Sequence, residues 1–361
     1  MSNRIFVNPS GQKENLGDSI LRRAYLDTLR RYGELHVYAG THTAYISGLG
    51  LGASDVVYHS RHSWLRAALV RQPAGTRMTF ALNAGEWVLD RRFLLNSTWQ
   101  TALLLRSRLG GGRPVALGIA LRRNQGAILR RYFRRMLKLA ATVSWRDPES
   151  RDAAEIGSVA PDWAFALGTP GEQFRPIVDR RCLAVALRGD RPAPSPAWTE
   201  AVRAIADSLG VAVVVVNQMQ DDEERCAELA LALGGTVLPW SAAVSHADHE
   251  ERVRELYRDS AAVVSDRIHA LIIGMTEGAV PIGYTTSDPE KVRRTFAALT
   301  KLPVAFSEHE VADATDARNR AELLMERRDE LFADLADGRG QLVHLRDSLS
   351  LGLDAPIGSI R

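Results

Sequence analysis

Arg267 and His269 lie two residues apart in Ala261-Ala-Val-Val-Ser-Asp-Arg-Ile-His-Ala-Leu271. The apolar run reads as a buried strand ending at Val264, followed by a polar turn and a helix starting near Arg267. A second buried strand follows Gly278. The pair therefore falls where a parallel strand hands over to a helix, the edge at which α/β sheets take ligands. Helix N-termini there present backbone N–H groups and a partial positive charge to anions. Arginine adds a fixed cation, and histidine is the side chain whose ordinary titration lies nearest neutrality. Together they suit an anionic substrate that needs proton transfer.

Two more cations close apolar strands. Arg146, in Ser144-Trp-Arg-Asp-Pro-Glu-Ser150, has the planar fork that matches a carboxylate or phosphate. An alternative is structural, with Asp147 capping the next helix, Pro148 at its first position and Arg146 neutralising a neighbour. Arg188 ends the run Leu183–Leu187 in the same way, and its alternative is an exposed strand-end charge. Near the start, Asn15-Leu-Gly-Asp18 opens a helix. Gly17 lets backbone approach a ligand, and Asp18 is either the N-cap, a substrate contact, or both. Gly48-Leu-Gly-Leu-Gly52 has the wrong spacing for a dinucleotide fingerprint. His42, His59, His62, His246 and His249 share no ligand spacing and read as surface or loop residues. No metal site is expected, and Cys182 and Cys226 suggest neither a zinc site nor a disulfide framework.

These residues need a scaffold of alternating strands and helices. In the second half, strands are expected at 182–187, 211–216, 235–238, 261–264 and 280–284. Helices fit 196–209, 221–233, 247–258 and 267–277, with Asp221 and Glu224 as a capping box. This alternation implies a parallel sheet covered on both faces. The first half starts with a strand at 4–8, a helix from Ser19 to Tyr32 and a strand at 35–38. Residues 40–112 show turns and one weak strand at 79–82. A buried strand at 114–120 and a basic helix then follow. The expected domains are 1–170, 171–308 and a helical segment 309–361.

The 361 residues are 45% hydrophobic and 25% charged, ordinary for a globular chain of two medium domains. Residues 1–10 lack the pattern of a signal peptide, and no apolar run reaches the roughly 18 residues of a spanning helix. A cytoplasmic enzyme is expected. The net charge of +3 conceals an uneven distribution: residues 60–151 carry eighteen Arg and Lys against four acidic residues. Arg122, Arg123, Arg130, Arg131, Arg134, Arg135 and Lys138 form the densest part, with Ile128, Leu129, Tyr132, Phe133, Met136 and Leu137 as the apolar side. The patch is either a solvated face or a site for anionic membrane headgroups or a diphosphate-linked glycan. Nucleic acid is not expected as a partner, because no aromatic-basic module or helix-turn-helix accompanies the charge.

Taken together, these segments resemble the polysaccharide pyruvyl transferase family. The matching pieces run in the family's order: Asn15, Gly17 and Asp18; Arg146, Asp147, Ser150, Pro161 and Asp162; Leu187-Arg188; Asp221-Asp222; Ser265-Asp-Arg267-Ile-His269; and Gly278 with Pro281. Lys291 stands where the family often has a lysine. One segment departs: the family's glycine-rich stretch in the first domain is here Asn83-Ala-Gly-Glu-Trp87. The resemblance implies an α/β fold of two Rossmann-like domains with parallel sheets, facing across a cleft as in GT-B glycosyltransferases. It implies transfer of pyruvate from phosphoenolpyruvate to two hydroxyls of one sugar, giving a cyclic ketal and phosphate, with no cofactor. The acceptor would be a lipid-linked oligosaccharide on the way to a bacterial exopolysaccharide or cell-wall glycan. The enzyme would be cytoplasmic or peripheral to the inner face of the cell membrane. Arg267, Arg146, Arg188 and Lys291 are then the donor-binding candidates and His269 the acid/base. Asn15, Gly17 and Asp18 are candidate acceptor or loop contacts. A GT-B-like glycosyltransferase using a nucleotide sugar and a non-catalytic glycan-binding relative remain as alternatives.

Overall fold

Runs such as Val115–Leu121, Ser260–Ser265 and Val280–Thr285 are buried at every position. Strands with helices over both faces have no wet side, so they need no alternation of polar residues. The computed structural model describes residues 2–349, which divide into two compact units. The first contains residues 2–11, Leu21–Trp163 and residues 341–349; the second contains Gln12–Ile20 and Ala164–Gly340.

The first unit holds β1 (Ser2–Val7), β2 (Glu34–Tyr38), β3 (Val56–Tyr58), β4 (Thr76–Leu82), β5 (Gly85–Trp87), β6 (Val115–Leu121), β7 (Thr142–Trp145) and β8 (Ser158–Val159). Their order is β3-β2-β1-β4-β6-β7-β8, with β5 alongside β6. Every pairing is parallel. Phe6, Trp64, Phe80, Leu104, Ile119 and Phe133 lie in its core. The second unit holds β9 (Cys182–Ala186), β10 (Ala212–Val216), β11 (Thr236–Leu238), β12 (Ser260–Ser265), β13 (Val280–Thr285) and β14 (Ala305–Ser307). Their order β11-β10-β9-β12-β13-β14 is again wholly parallel. Within each sheet the strand order reverses once, between β1 and β4 and between β9 and β12. Such switch points open a crevice at the carboxyl ends of the strands.

The division differs from the expected boundaries in three places, within 1–170, near the 170/171 junction and within 309–361, and hydrogen bonds account for the first two. Gln12–Ile20 groups with the second unit because Leu16 N–H donates to the Gln218 carbonyl and Gln220 N–H to that of Glu14, both at 3.2 Å. The residues after Trp163 do so because the Arg339 guanidinium binds the carbonyls of Phe165, Leu167 and Thr169 at 2.7–3.0 Å. Residues 40–112, mostly unassigned from sequence, contain β3, β5 and the helices Arg61–Leu69 and Arg91–Leu109. Three-residue strands carry too little periodicity to read. The longer helix exposes Leu94, Leu95, Leu105 and Leu109, so its apolar residues do not mark one face. The segment 309–361 contains helices Ala314–Glu326 and Arg328–Ser348, and its last twelve residues lie outside the described residues.

Candidate functional site

The switch point of the second sheet is stitched by side chains from both strand ends. Ser265 Oγ donates to the Ala186 carbonyl at the end of β9 and accepts the Arg267 N–H at 2.9 Å. The Arg188 N–H donates to Asp266 Oδ1 at 3.0 Å. Helix Ile268–Thr276 begins immediately afterwards, with Arg267 at its N-cap in extended conformation (φ −93°, ψ 113°). The Arg267 side chain therefore leaves the backbone before the regular helix begins.

The buried Arg267 guanidinium donates to Asp222 Oδ2 and lies 3.7 Å from the Met219 sulfur, while its Nε has no partner among the described residues. Asp222 Oδ1 accepts the Gly189 N–H at 2.7 Å. The expected capping box at Asp221 and Glu224 does not form. Asp222 takes the N-cap position of helix Glu223–Leu233 without capping it, because its carboxylate is turned toward Arg267 and Gly189. Burial pushes the Asp266 carboxyl up to about 6, opposed by the neighbouring Arg267 charge.

Helix Leu16–Arg30 starts three residues earlier than expected. Asn15 Oδ1 accepts the Gly17 N–H at 3.0 Å, and Asp18 accepts the Gln12 N–H at 2.6 Å. Asn15 thus caps the helix, and Asp18 ties down the preceding loop. A Cβ on Gly17 would stand 2.4 Å from the His269 ring, closer than nonbonded atoms approach. Only the bare backbone of glycine lets the first turn of this helix pack against His269.

His246 and His249, expected at the surface or in loops, are completely buried on helix His246–Arg258. His246 bonds Ser19 Oγ at 2.9 Å and the Lys13 carbonyl at 2.7 Å. His249 stacks on Trp240 with ring centroids 4.5 Å apart and donates from Nε2 to the Asn217 carbonyl at 2.7 Å. Their spacing with Val253 and Tyr257 is that of one helix face, a signal that a search for metal-ligand spacing passes over. Burial pushes the His249 imidazole down to about 4. A lowered histidine contributes stability that is complete above the ordinary value near 6.5 and is lost as the pH falls toward 4. Between pH 7 and 4, the wild type is expected to lose about 3 kcal/mol more than His249→Phe. Parallel urea titrations of the two proteins at each pH measure the difference, in which other titrating groups cancel.

Asn217 and Gln218, which follow the valine-rich β10, were not singled out from sequence. Both are buried; neither polar atom of the Asn217 amide nor Gln218 Nε2 has a partner among the described residues. Buried polar groups are ordinarily paired, so these amides mark a place with spare hydrogen-bonding capacity. The only sequence signal is the abrupt change from Val213-Val-Val-Val216 to two amides.

The remaining candidates divide. The Arg188 side chain is forked onto Asp190 at 2.8 and 2.6 Å. Lys291 is exposed on the first turn of helix Glu290–Phe296, after β13. Arg146 belongs to the first unit, buried and bound to Asp162 at 2.8 Å. Asp147 accepts the Ser150 N–H at 2.7 Å and Pro148 follows it, the structural arrangement anticipated for that segment. Arg267, His269, the backbone of Arg188 and the Asn15–Asp18 turn therefore gather at one sheet edge, whereas Arg146 lies in the other unit. Among the described residues, no group of three or more His, Cys, Asp or Glu is placed to hold a metal. No described helix is long and apolar enough to cross a membrane.

Two parallel α/β sheets with strand-end crevices define the class to which GT-B glycosyltransferases and related epimerases belong. A putative UDP-N-acetylglucosamine 2-epimerase from Listeria monocytogenes matches 99% of this chain and 100% of its own, with a TM-score of 0.55 and 12% identity. A glycosyltransferase from Rickettsia africae matches 97% and 95%, with a TM-score of 0.51 and 11% identity. An Arabidopsis thaliana protein solved with UDP-L-rhamnose matches 95% and 98%, also with a TM-score of 0.51 and 11% identity. At such identities the likeness concerns fold alone. No curated protein matches the chain by sequence. Residues 15–288 match the polysaccharide pyruvyl transferase family, and the chain belongs to it.

Proposed function

We propose that this transferase moves the pyruvate skeleton of phosphoenolpyruvate onto two hydroxyls of one sugar in a bacterial exopolysaccharide or cell-wall glycan precursor. The observation that carries the reading is Arg267 at a non-helical N-cap with His269 in the following turn, beside Gly17 and the end of β9. A donor with a carboxylate and a phosphate needs fixed cations and helix N–H groups, and that sheet edge has both. Protonation of the donor methylene carbon makes the adjacent carbon oxocarbenium-like. One sugar hydroxyl bonds to that carbon, the C–O bond to phosphate breaks, and the second hydroxyl closes the ring. One of the two hydroxyl protons balances the proton taken up at the methylene, and the other leaves with phosphate. His269 serves as the acid/base, protonating the bridging oxygen or relieving an attacking hydroxyl of its proton.

In this reading Arg267 is the leading donor-binding side chain, Arg188 and Lys291 are secondary, and the chemistry requires no cofactor. Arg146, bound to Asp162, acts by holding its own strand end. The acceptor is a lipid-linked oligosaccharide. Helix Ala127–Leu137 supports contact with an anionic membrane, since Arg130, Arg131, Arg135 and Lys138 are exposed beside Ile128. Ile128, expected on the packed side, is 84% exposed because it falls outside the face that buries Phe133, Met136 and Leu137.

The test is thermal. Phosphoenolpyruvate at 100 times its Kd should stabilise the protein by about 2.7 kcal/mol and raise the melting temperature, whereas nucleotide sugars should not. A shift with nucleotide sugars alone would overturn the proposal in favour of glycosyl transfer.

A further inference from the structure

A cavity of about 300 Å³ lies at the carboxyl ends of β1 and β4, the switch point of the first sheet. It is built within the first unit and shares no residue with the site around Arg267. Asn8 and Ser10 follow β1, Asn83 follows β4, and Trp87, Trp99 and Gln100 complete the part that matters here. Asn8 Oδ1, Asn83 Oδ1 and Gln100 Oε1 are buried without a hydrogen-bond partner among the described residues. Three unsatisfied amide acceptors around one cavity constitute a preference for a ligand rich in O–H or N–H donors.

The charges lining the cavity balance. Arg22 and Arg92 line it together with Glu86 and Asp90. Glu86 is paired with Arg122 at 3.0 Å, Asp90 accepts the Phe93 N–H at 2.8 Å, and Arg22 Nε donates to the Ser10 carbonyl at 2.8 Å. Without a surplus of cations, a phosphate or nucleotide has nothing to repay its desolvation. The indole N–H groups of Trp87 and Trp99 are occupied by Asn83 O and Asn96 Oδ1, both at 3.2 Å, so these residues offer ring surface. The volume stands at the bottom of the roughly 300–1,000 Å³ range of ligand pockets, which favours one small ring over a dinucleotide-sized molecule.

We infer that this cavity is a subsite for one uncharged pyranose ring, whose hydroxyls donate to the amides of Asn8, Asn83 and Gln100 and whose carbon face rests on tryptophan. That the ring belongs to the acceptor glycan rests on the proposed function; the sugar site itself does not. The segment Asn83–Trp87, which departs from the family's glycine-rich pattern, supplies part of its wall and thereby gives this chain its own acceptor preference.

The test is saturation-transfer NMR and calorimetry on the full chain with methyl glucoside, methyl galactoside, methyl mannoside and glucuronate. At least one neutral glycoside should bind, more tightly than glucuronate. Because Gln100 Oε1 has no hydrogen-bond partner among the described residues, Gln100→Leu should fold as the wild type does and weaken that glycoside roughly three- to tenfold, the cost of one neutral hydrogen bond. Asn83→Ala should weaken it as well. Absence of binding by all three neutral glycosides, tighter binding of glucuronate, or unchanged affinity in Gln100→Leu would overturn the sugar site. Glycoside binding that survives while phosphoenolpyruvate neither binds nor releases phosphate would instead leave the subsite standing and remove the pyruvyl transfer reading.

Discussion

His269→Ala is expected to bind phosphoenolpyruvate as the wild type does and to lose turnover by roughly a hundredfold or more, the usual cost of a missing acid or base. The expectation follows from its position. His269 is in the first turn of helix Ile268–Thr276, where the side chains nearest the strand ends can still reach a ligand, and its ring lies against the bare backbone of Gly17. The close approach of Gly17 holds the imidazole at the start of the helix. A packing role predicts differently. His269→Gln preserves polarity and approximate length but cannot take and return a proton near neutral pH. If phosphate release by His269→Gln stays within about threefold of the wild type at matched melting temperature, the residue only packs. Loss of donor affinity in His269→Ala, with turnover per bound donor unchanged, would also remove it from the chemistry and make it a binding residue.

How much of this was legible depended on the range of the interactions. The strand, turn and helix around Arg267 could be read because Ala261–Val264 and Leu271–Met275 are unbroken apolar runs with a polar hinge between them. The same holds for Asp147 and Pro148, whose capping is local. What pairs with what was not legible. Asp222 and Arg267 are forty-five residues apart, and Asp222 looked like part of a helix start. Gly17 was identified as a point of close approach, but nothing in Asn15–Asp18 indicates that its neighbour is a histidine some 250 residues onward. His246 and His249 read as surface or loop residues because they lack metal-ligand spacing, while their place on the buried face of helix His246–Arg258 depends on distant partners such as Ser19 and Trp240. The first-sheet cavity was hidden for a related reason. Its amides come from the ends of β1 and β4 and from helix Arg91–Leu109, and only the parallel pairing of β1 with β4 brings them together.

The second large effect concerns Arg267, where the structure changes what a simple substitution can show. Arg267→Ala should weaken donor binding by about 1.5–3 kcal/mol if one charged hydrogen bond to the donor is removed. It should also lower stability by about 3–5 kcal/mol, since it leaves Asp222 buried without its partner. A loss of binding in the single variant is therefore ambiguous. The double variant Arg267→Ala with Asp222→Asn separates the two effects. An asparagine at 222 carries no charge to strand, and its side-chain oxygen can still accept the Gly189 N–H that Asp222 accepts. Most of the lost stability should return, measured by urea unfolding, while donor affinity measured by calorimetry should remain low. Recovery of both together would show that Arg267 exists to neutralise Asp222 and would end its assignment to the donor. Recovery of stability alone would place the donor's negative charge on the arginine nitrogens that Asp222 leaves unused, Nε among them.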